Sequence, residues 1–412
     1  MNRRLSLLAL ALPLSLTAAA QRSEVLHPDI ASLQVVAGDD WLSMPIVDLN
    51  GDTPINISFD DLTHEYHRYA YRIEHCNADW TPTTDLFQSD YCQGFADGNT
   101  IDDIEESLQT NTLYTHYSLQ IPNDRCRPRL SGNYRVTVYD ENTQVDVLTA
   151  CFMVAENAMH VRMEGSSNTD IDINGSHQQI SMALDYGSLR VINPEAEVKV
   201  YVLQNGRYDN LVARPKYQYT MANGLRWEHN RQLIFNGGNE YRKFEILDVA
   251  HSGLGVEDMH WDGTSYNAYL WPDEARPNYV YDEDANGAFY IRNDDNFNND
   301  TQTEYLNVHF TLKIPRQSGS VYLNGVWTYD LFQPQYEMRY NELEQQYEAT
   351  VFLKQGYYSY QYLLVRSDGT TTFLPSEGSF SQTENEYQCL VYYRNVGSRY
   401  DRLVAYQLLQ MK

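Results

Sequence analysis

The stretch Val198-Lys-Val-Tyr-Val202, followed three residues later by the pair Asn205-Gly206, decides the fold class. Its valines fall on one side of a period of two and its Lys and Tyr on the other, which is how a half-buried strand divides its side chains. Asn-Gly adopts positive φ at little cost and marks a tight hairpin. The same pattern recurs in Ile55-Asn-Ile-Ser-Phe59, Tyr134-Arg-Val-Thr-Val-Tyr139, Leu306-Asn-Val-His-Phe-Thr-Leu312 and Tyr357-Tyr-Ser-Tyr-Gln-Tyr-Leu363. Seven Asn-Gly pairs (at 50, 174, 205, 223, 236, 286 and 324) and three Asp-Gly pairs (at 97, 262 and 368) punctuate such runs, too many for a helical protein. Only Asp102 to Gln109 reads as a helix. The expectation is an all-β chain.

Strands spaced every 8 to 12 residues predict sandwiches of about 100 residues each. A chain of 412 residues has room for three consecutive immunoglobulin-like or early-set-like antiparallel β-sandwich domains. The expected divisions are 21–157, 158–301 and 302–412, the last boundary following the polar stretch Asn293-Asp-Asp-Asn-Phe-Asn-Asn-Asp300. Residues 1–20 read as a secretory signal: Arg3 and Arg4, an apolar core from Leu5 to Leu16, and Ala18-Ala19-Ala20 as the cleavage site. That core is too short to cross a bilayer, and Gln21 rather than Cys follows it, against a lipoprotein. No direct membrane insertion is expected. An outer-membrane barrel would need longer unbroken alternation than these runs provide.

With 56 acidic and 30 basic residues the formal charge is -26, so phosphate backbones are repelled and no nucleic acid partner is expected. Five cysteines in an exported chain permit disulfides but leave one thiol over. Cys76, Cys92, Cys126 and Cys151 allow three pairings, of which Cys92 with Cys126 is favoured because both lie in polar, loop-like stretches.

Constellations that carry chemistry are incomplete. Asp170-Ile-Asp-Ile-Asn-Gly175 and Asp282-Glu-Asp-Ala-Asn-Gly287 match the first half of a calcium loop but lack its twelfth-position Glu, and a hairpin turn explains both. His64-Glu-Tyr-His67 has the wrong spacing for a zinc helix. No nucleophile elbow, phosphate loop or dinucleotide fingerprint is present, so no catalytic, cofactor or metal residue is assigned and no enzyme is expected. Asp79 and Trp80 read as a turn and a core anchor. Val321-Tyr-Leu-Asn-Gly-Val-Trp327 and Gly356-Tyr-Tyr-Ser-Tyr-Gln-Tyr362 are laid out like the sugar-stacking loops of glycogen-binding and isoamylase-type sandwiches. A periplasmic or surface glycan-binding protein is the alternative reading, although period-two tyrosines fit a core better and a glycan partner is not favoured.

A string that no generic sandwich requires is His75-Cys-Asn-Ala-Asp-Trp80. It is followed in order by Ile101-Asp-Asp103, Thr115-His-Tyr117, Ile121-Pro-Asn123, Ser131-Gly-Asn-Tyr134, Asp170 to Asn174 with His177-Gln-Gln179, and Tyr392-Tyr-Arg394 with Arg399-Tyr-Asp401. This ordered set resembles the plug proteins of the type IX secretion system over nearly the whole mature chain. The motif residues concerned are His75, Cys76, Asn77, Asp79, Trp80, Ser131, Gly132, Asn133, Tyr134, Tyr392, Tyr393, Arg394, Arg399, Tyr400 and Asp401. Cys92, Cys126 and Cys151 belong to no pattern of that family. The resemblance implies a periplasmic, non-enzymatic body that occludes the periplasmic end of a large outer-membrane β-barrel translocon. The acids Asp282, Glu283, Asp284, Asp294 and Asp295 are then the candidate contacts with a basic partner, since charge this dense repels itself unless it is solvated or paired.

Overall fold

The computed structural model describes residues 23–411, so the expected signal segment lies outside the described residues. The chain is nearly all β, with 47% of residues in strands and 5% in helices, arranged in several antiparallel sheets. Each of the five alternating segments forms a strand: Ile55–Asp61, Gly132–Asp140, Val198–Gln204, Tyr305–Lys313 and Gly356–Val365. The expected helix at 102–109 is instead the short strand Asp103–Glu106, paired antiparallel with Thr115–Ile121. Eight residues are too few to hold a helix alone, whereas the open edge of Thr115–Ile121 offers its backbone groups directly.

The first core gathers apolar residues from Ile30 to Val154 between two sheets. One sheet runs 30–37, 55–61, 115–121, 103–106, and the other is built around 69–76, 132–140 and 146–155. The second core combines 159–235 with a distant partner. Val198–Gln204 pairs with Glu386–Tyr393, which pairs in turn with Arg402–Gln410. Val198, Val200 and Val202 thereby meet Tyr387, Cys389, Val391 and Val404 in one interior. The third core runs from Phe244 to Leu374 inside a continuous eleven-stranded sheet.

These cores correct the expected divisions after residue 158. The third unit is inserted into the second, and the C-terminal hairpin belongs to the second unit rather than to a terminal sandwich. The physical reason is that Val198–Gln204 would otherwise carry an open edge beside an apolar face, a template for pairing with other chains that folded proteins keep covered. The polar run at 293–300 is a loop within the third unit: Asn293 closes it on itself, donating to the Phe297 carbonyl at 2.9 Å. Chain leaves the second unit at Gly237-Gly238 and returns beside it at Phe380, whose N–H donates to the Gly238 carbonyl at 2.8 Å. A Cβ at Gly237 would sit 2.0 Å from the Phe380 carbonyl oxygen, so only glycine allows the two connections to lie together.

A buried ion pair docks the first unit on the third. Asp60 and Lys354 are fully enclosed, with Lys354 Nζ 2.6 Å from Asp60 Oδ2. Tyr305 donates its hydroxyl to the same oxygen at 2.6 Å, and His116 Nδ1 holds Asp60 Oδ1 at 2.6 Å. The ammonium also donates to the Asp300 carbonyl at 2.8 Å and lies 4.1 Å from the centre of the Tyr114 ring. Burial works against the Asp60 charge, but Lys354 and then His116 outweigh it and hold the carboxyl below its usual range. Lys354→Met would leave that carboxylate enclosed without its cation, and the expected loss is roughly 3–5 kcal/mol of stability, read as a lower urea midpoint. An unchanged midpoint would show that the pair does not hold the units together.

Candidate partner-binding surface and interunit joint

The motif residues, scattered over more than 300 positions of sequence, meet where the first unit packs on the second. His75, on the strand Tyr69–Cys76, is buried between Thr83 and the strand Gly132–Asp140. Its Nε2 is 3.1 Å from the Ser131 carbonyl, which can only accept, so Nε2 carries the proton and Nδ1 accepts from the Thr83 hydroxyl at 3.0 Å. Burial lowers the His75 pKa to about 4, leaving a neutral ring. The edges and faces of Tyr134 and Tyr400 enclose it at 5.1 and 5.2 Å between centroids. Gly132 has φ +135, and a Cβ there would stand 2.6 Å from His75 Nε2, which explains glycine in Ser131-Gly-Asn-Tyr134.

Hydrogen bonds cross the joint from this point. Asn133 donates to the Asn77 carbonyl at 2.9 Å and accepts from the Tyr392 hydroxyl of the second unit at 2.6 Å. Asp401, fully buried, accepts from Lys199 Nζ at 2.7 Å and from the Ala78 N–H at 3.0 Å. Arg399 reaches Asp90 at 2.9 Å. Asp79 accepts from the backbone and hydroxyl of Thr81 in a tight turn, while Trp80 packs with Cys76, Met153, Leu203, Leu390 and Tyr392 in a core shared by both units. Arg394 bonds the Ser398 carbonyl within its own loop, and Tyr393 lies aside, donating to the Arg190 carbonyl at 2.8 Å. Sequence reasoning missed Lys199, Glu156 and Arg402. Lys199 sits on the outward register of its strand, so alternation assigned it to solvent. Glu156 forms a two-pronged pair with Arg402, both contacts 2.7 Å, and accepts from Ser131.

The five candidate contact acids do not form one surface. Asp282, Glu283, Asp294 and Asp295 are exposed, but Asp282 is engaged by Lys243 at 2.6 Å. Asp284 turns inward. Its oxygens accept from the N–H groups of Tyr241 and of Asn286, the latter at 2.7 Å, so it shapes the turn and cannot serve as a surface contact. In the other half-loop, Asp170 is held by His229 and Gln179, and Asp172 by His177 and Ser176. The aromatic rows of the glycan reading also face inward: Trp327, Tyr358, Tyr360 and Tyr362 are core residues, with Trp327 donating to the Ser359 carbonyl. That removes the stacking platform.

Residues 30–156 match the family described as the type 9 secretion system plug protein, first domain. The chain belongs to the type 9 secretion system plug protein family. A crystal structure of a hypothetical protein from Parabacteroides merdae ATCC 43184 is similar along the same length. It has 40% identity and a TM-score of 0.92, over 95% of this chain and 99% of that one. No curated protein matches. Membership places the chain in a role related to type 9 secretion, associated with an outer-membrane component of that system. No helix among the described residues is long and apolar enough to cross a membrane.

Two predictions follow from the geometry. All five cysteines are buried free thiols, and Cys92 and Cys126, on the paired strands Cys92–Gly94 and Cys126–Pro128, bring their sulfurs within 3.1 Å. Protein exported to an oxidising compartment should therefore carry one Cys92–Cys126 bond, seen as an intact mass lighter by two hydrogens than the reduced chain, and alkylation at both positions before reduction would contradict it. Burial also pushes the Asp284 carboxyl up to about 7, against the pull of its two backbone donors. The folded chain then holds this proton more tightly than the unfolded chain, so its contribution to stability is full below the ordinary carboxylate pKa and is lost as pH rises through about 7. Stability should fall between pH 5 and pH 8, and Asp284→Asn should flatten that slope; a slope indifferent to the substitution would refute the assignment.

Proposed function

We propose that this protein is a non-enzymatic plug that occludes the periplasmic end of the type IX outer-membrane translocon. The observation that carries the reading is the plug-family match of the first unit, combined with the way two buried carboxylates, Asp60 on Lys354 and Asp401 on the Ala78 N–H, fasten that unit to the other two. A barrel wide enough for folded cargo is a water-filled hole, and a seal for it must resist deformation rather than perform chemistry. A body whose first unit is fastened to the third through Asp60–Lys354 and to the second through the Ala78 N–H on Asp401 suits that demand. Its formal charge of -26 favours docking to a basic rim, with an association rate that falls as salt screens the approach. Asp282, Glu283, Asp294 and Asp295 remain the proposed contacts, Asp284 having been taken into the interior.

Loss of the protein should leave cells viable and secreting but leaky. A deletion strain is expected to admit hydrophilic antibiotics and release periplasmic markers more readily than its parent. A strain carrying the four exposed acids as amides should leak to an intermediate degree. Unchanged permeability in the deletion would defeat the plug role; leakage in the deletion with none in the substituted strain would defeat only the contact site.

A further inference from the structure

The second unit encloses a carboxylate that its own fold leaves half unanswered. Glu197 ends the single helical turn Pro194–Glu197 and is only 3% exposed. Its Oε2 accepts the Ile192 N–H at 3.0 Å, and among the described residues no Lys, Arg or His is paired with it. Other buried carboxylates are met more fully. Glu240 accepts from Tyr279 and the Glu384 N–H, Glu304 from the N–H groups of Thr112 and Tyr305, and Glu377 from Arg242 and Arg276. A Glu this enclosed is almost never left without a cation or several donors.

The small surface that Glu197 retains opens on a pocket of about 290 Å³ between the segments 188–197 and 393–402. The two segments are pinned together. The Arg394 N–H donates to the Glu197 carbonyl at 2.8 Å, and the Tyr393 hydroxyl donates to the Arg190 carbonyl at 2.8 Å. Leu189 and Tyr393 line the pocket, and Ile192 and Val396 form apolar lips that are 72% and 88% exposed. Two arginines also border it. Arg402 is held by both oxygens of Glu156 at 2.7 Å, whereas Arg190 is exposed and has no acid paired with it among the described residues.

Three different demands therefore meet at one site. A carboxylate oxygen lacking a donor favours an ammonium, which brings three N–H groups and the opposite charge. The apolar lips favour an alkyl group beside that ammonium. A free guanidinium favours a carboxylate or carbonyl oxygen. An apolar α-amino acid carries all three groups on one carbon, and the volume lies just under the roughly 300–1,000 Å³ of sites for larger ligands.

We propose that this pocket binds the α-ammonium group of an apolar amino acid residue, free or at the N-terminus of a peptide. The ammonium donates to Glu197, the side chain lies against Leu189, Ile192 and Val396, and the carboxyl or first carbonyl oxygen faces Arg190. The site stands independently of the translocon reading, since its recognition chemistry depends on the pocket alone.

Calorimetric titration of the purified protein with leucine, leucinamide and N-acetyl-leucinamide tests it. The expected result is saturable binding of leucine or leucinamide at least about tenfold tighter than of the acetylated compound, which lacks the ammonium. Leucine binding more tightly than leucinamide would assign the pocket to the free amino acid, and the reverse or equality to a peptide N-terminus. Glu197→Gln keeps an acceptor for the Ile192 N–H and should weaken binding about tenfold. Val396→Ser, at a position too exposed to matter for folding, should weaken leucinamide several-fold while sparing glycinamide. Equal affinity for leucinamide and its acetylated form, no saturable heat with any of the three, or a folded Glu197→Gln protein that binds as the parent does would overturn the proposal.

Discussion

Asp60 is a carboxylate fully enclosed by protein, and the docking of the first unit on the third depends on how it is satisfied. Lys354, His116 and Tyr305 surround it, two of them from the third unit and one from the first. At the second joint Asp401 takes its cation, Lys199, from its own unit and accepts the Ala78 N–H from the first. Separating the first unit from the third would strand Asp60 without its cation, which costs far more than an exposed ion pair gains, whereas separating the first from the second would leave Asp401 its Lys199 and remove only the Ala78 N–H. Such pairs contribute little net attraction compared with apolar packing, so their consequence here is specificity of orientation. The docking seen here satisfies Asp60, Lys354, Tyr305 and His116 together.

Much of the fold was legible in the sequence because its signals are local. Alternation identified the strands at 55, 134, 198, 306 and 357, and the Asn-Gly turns at Asn174, Asn205 and Asn286 do adopt positive φ. The path of the C-terminal hairpin was not legible. Pairing Val198 with Tyr393 joins residues almost two hundred positions apart, and nothing in either strand names the other. Consecutive sandwiches were the simplest reading of the spacing, and an inserted unit produces the same spacing.

The candidate site divides in the same manner. The motif string at His75 was recognisable, but its work was hidden until the strand at 132 and the loop at 399–401 were brought to it. His75, Gly132 and Asp401 form one joint, with a Cβ at Gly132 meeting both His75 and the Asp401 carbonyl. A motif that marks a family can therefore mark the way its units are joined rather than a ligand. The acidic run at 282–284 illustrates the opposite error. Its composition reads as solvated charge, yet the turn directs Asp284 inward, and no residue type in the run signals that reversal.

The central claim is that three cores behave as one body because buried charges join them. Differential scanning calorimetry of the purified protein near pH 7 tests it most directly, since independently folding units melt separately. One transition, with calorimetric and van't Hoff enthalpies in agreement, is the predicted result. Two or three resolved transitions would contradict it.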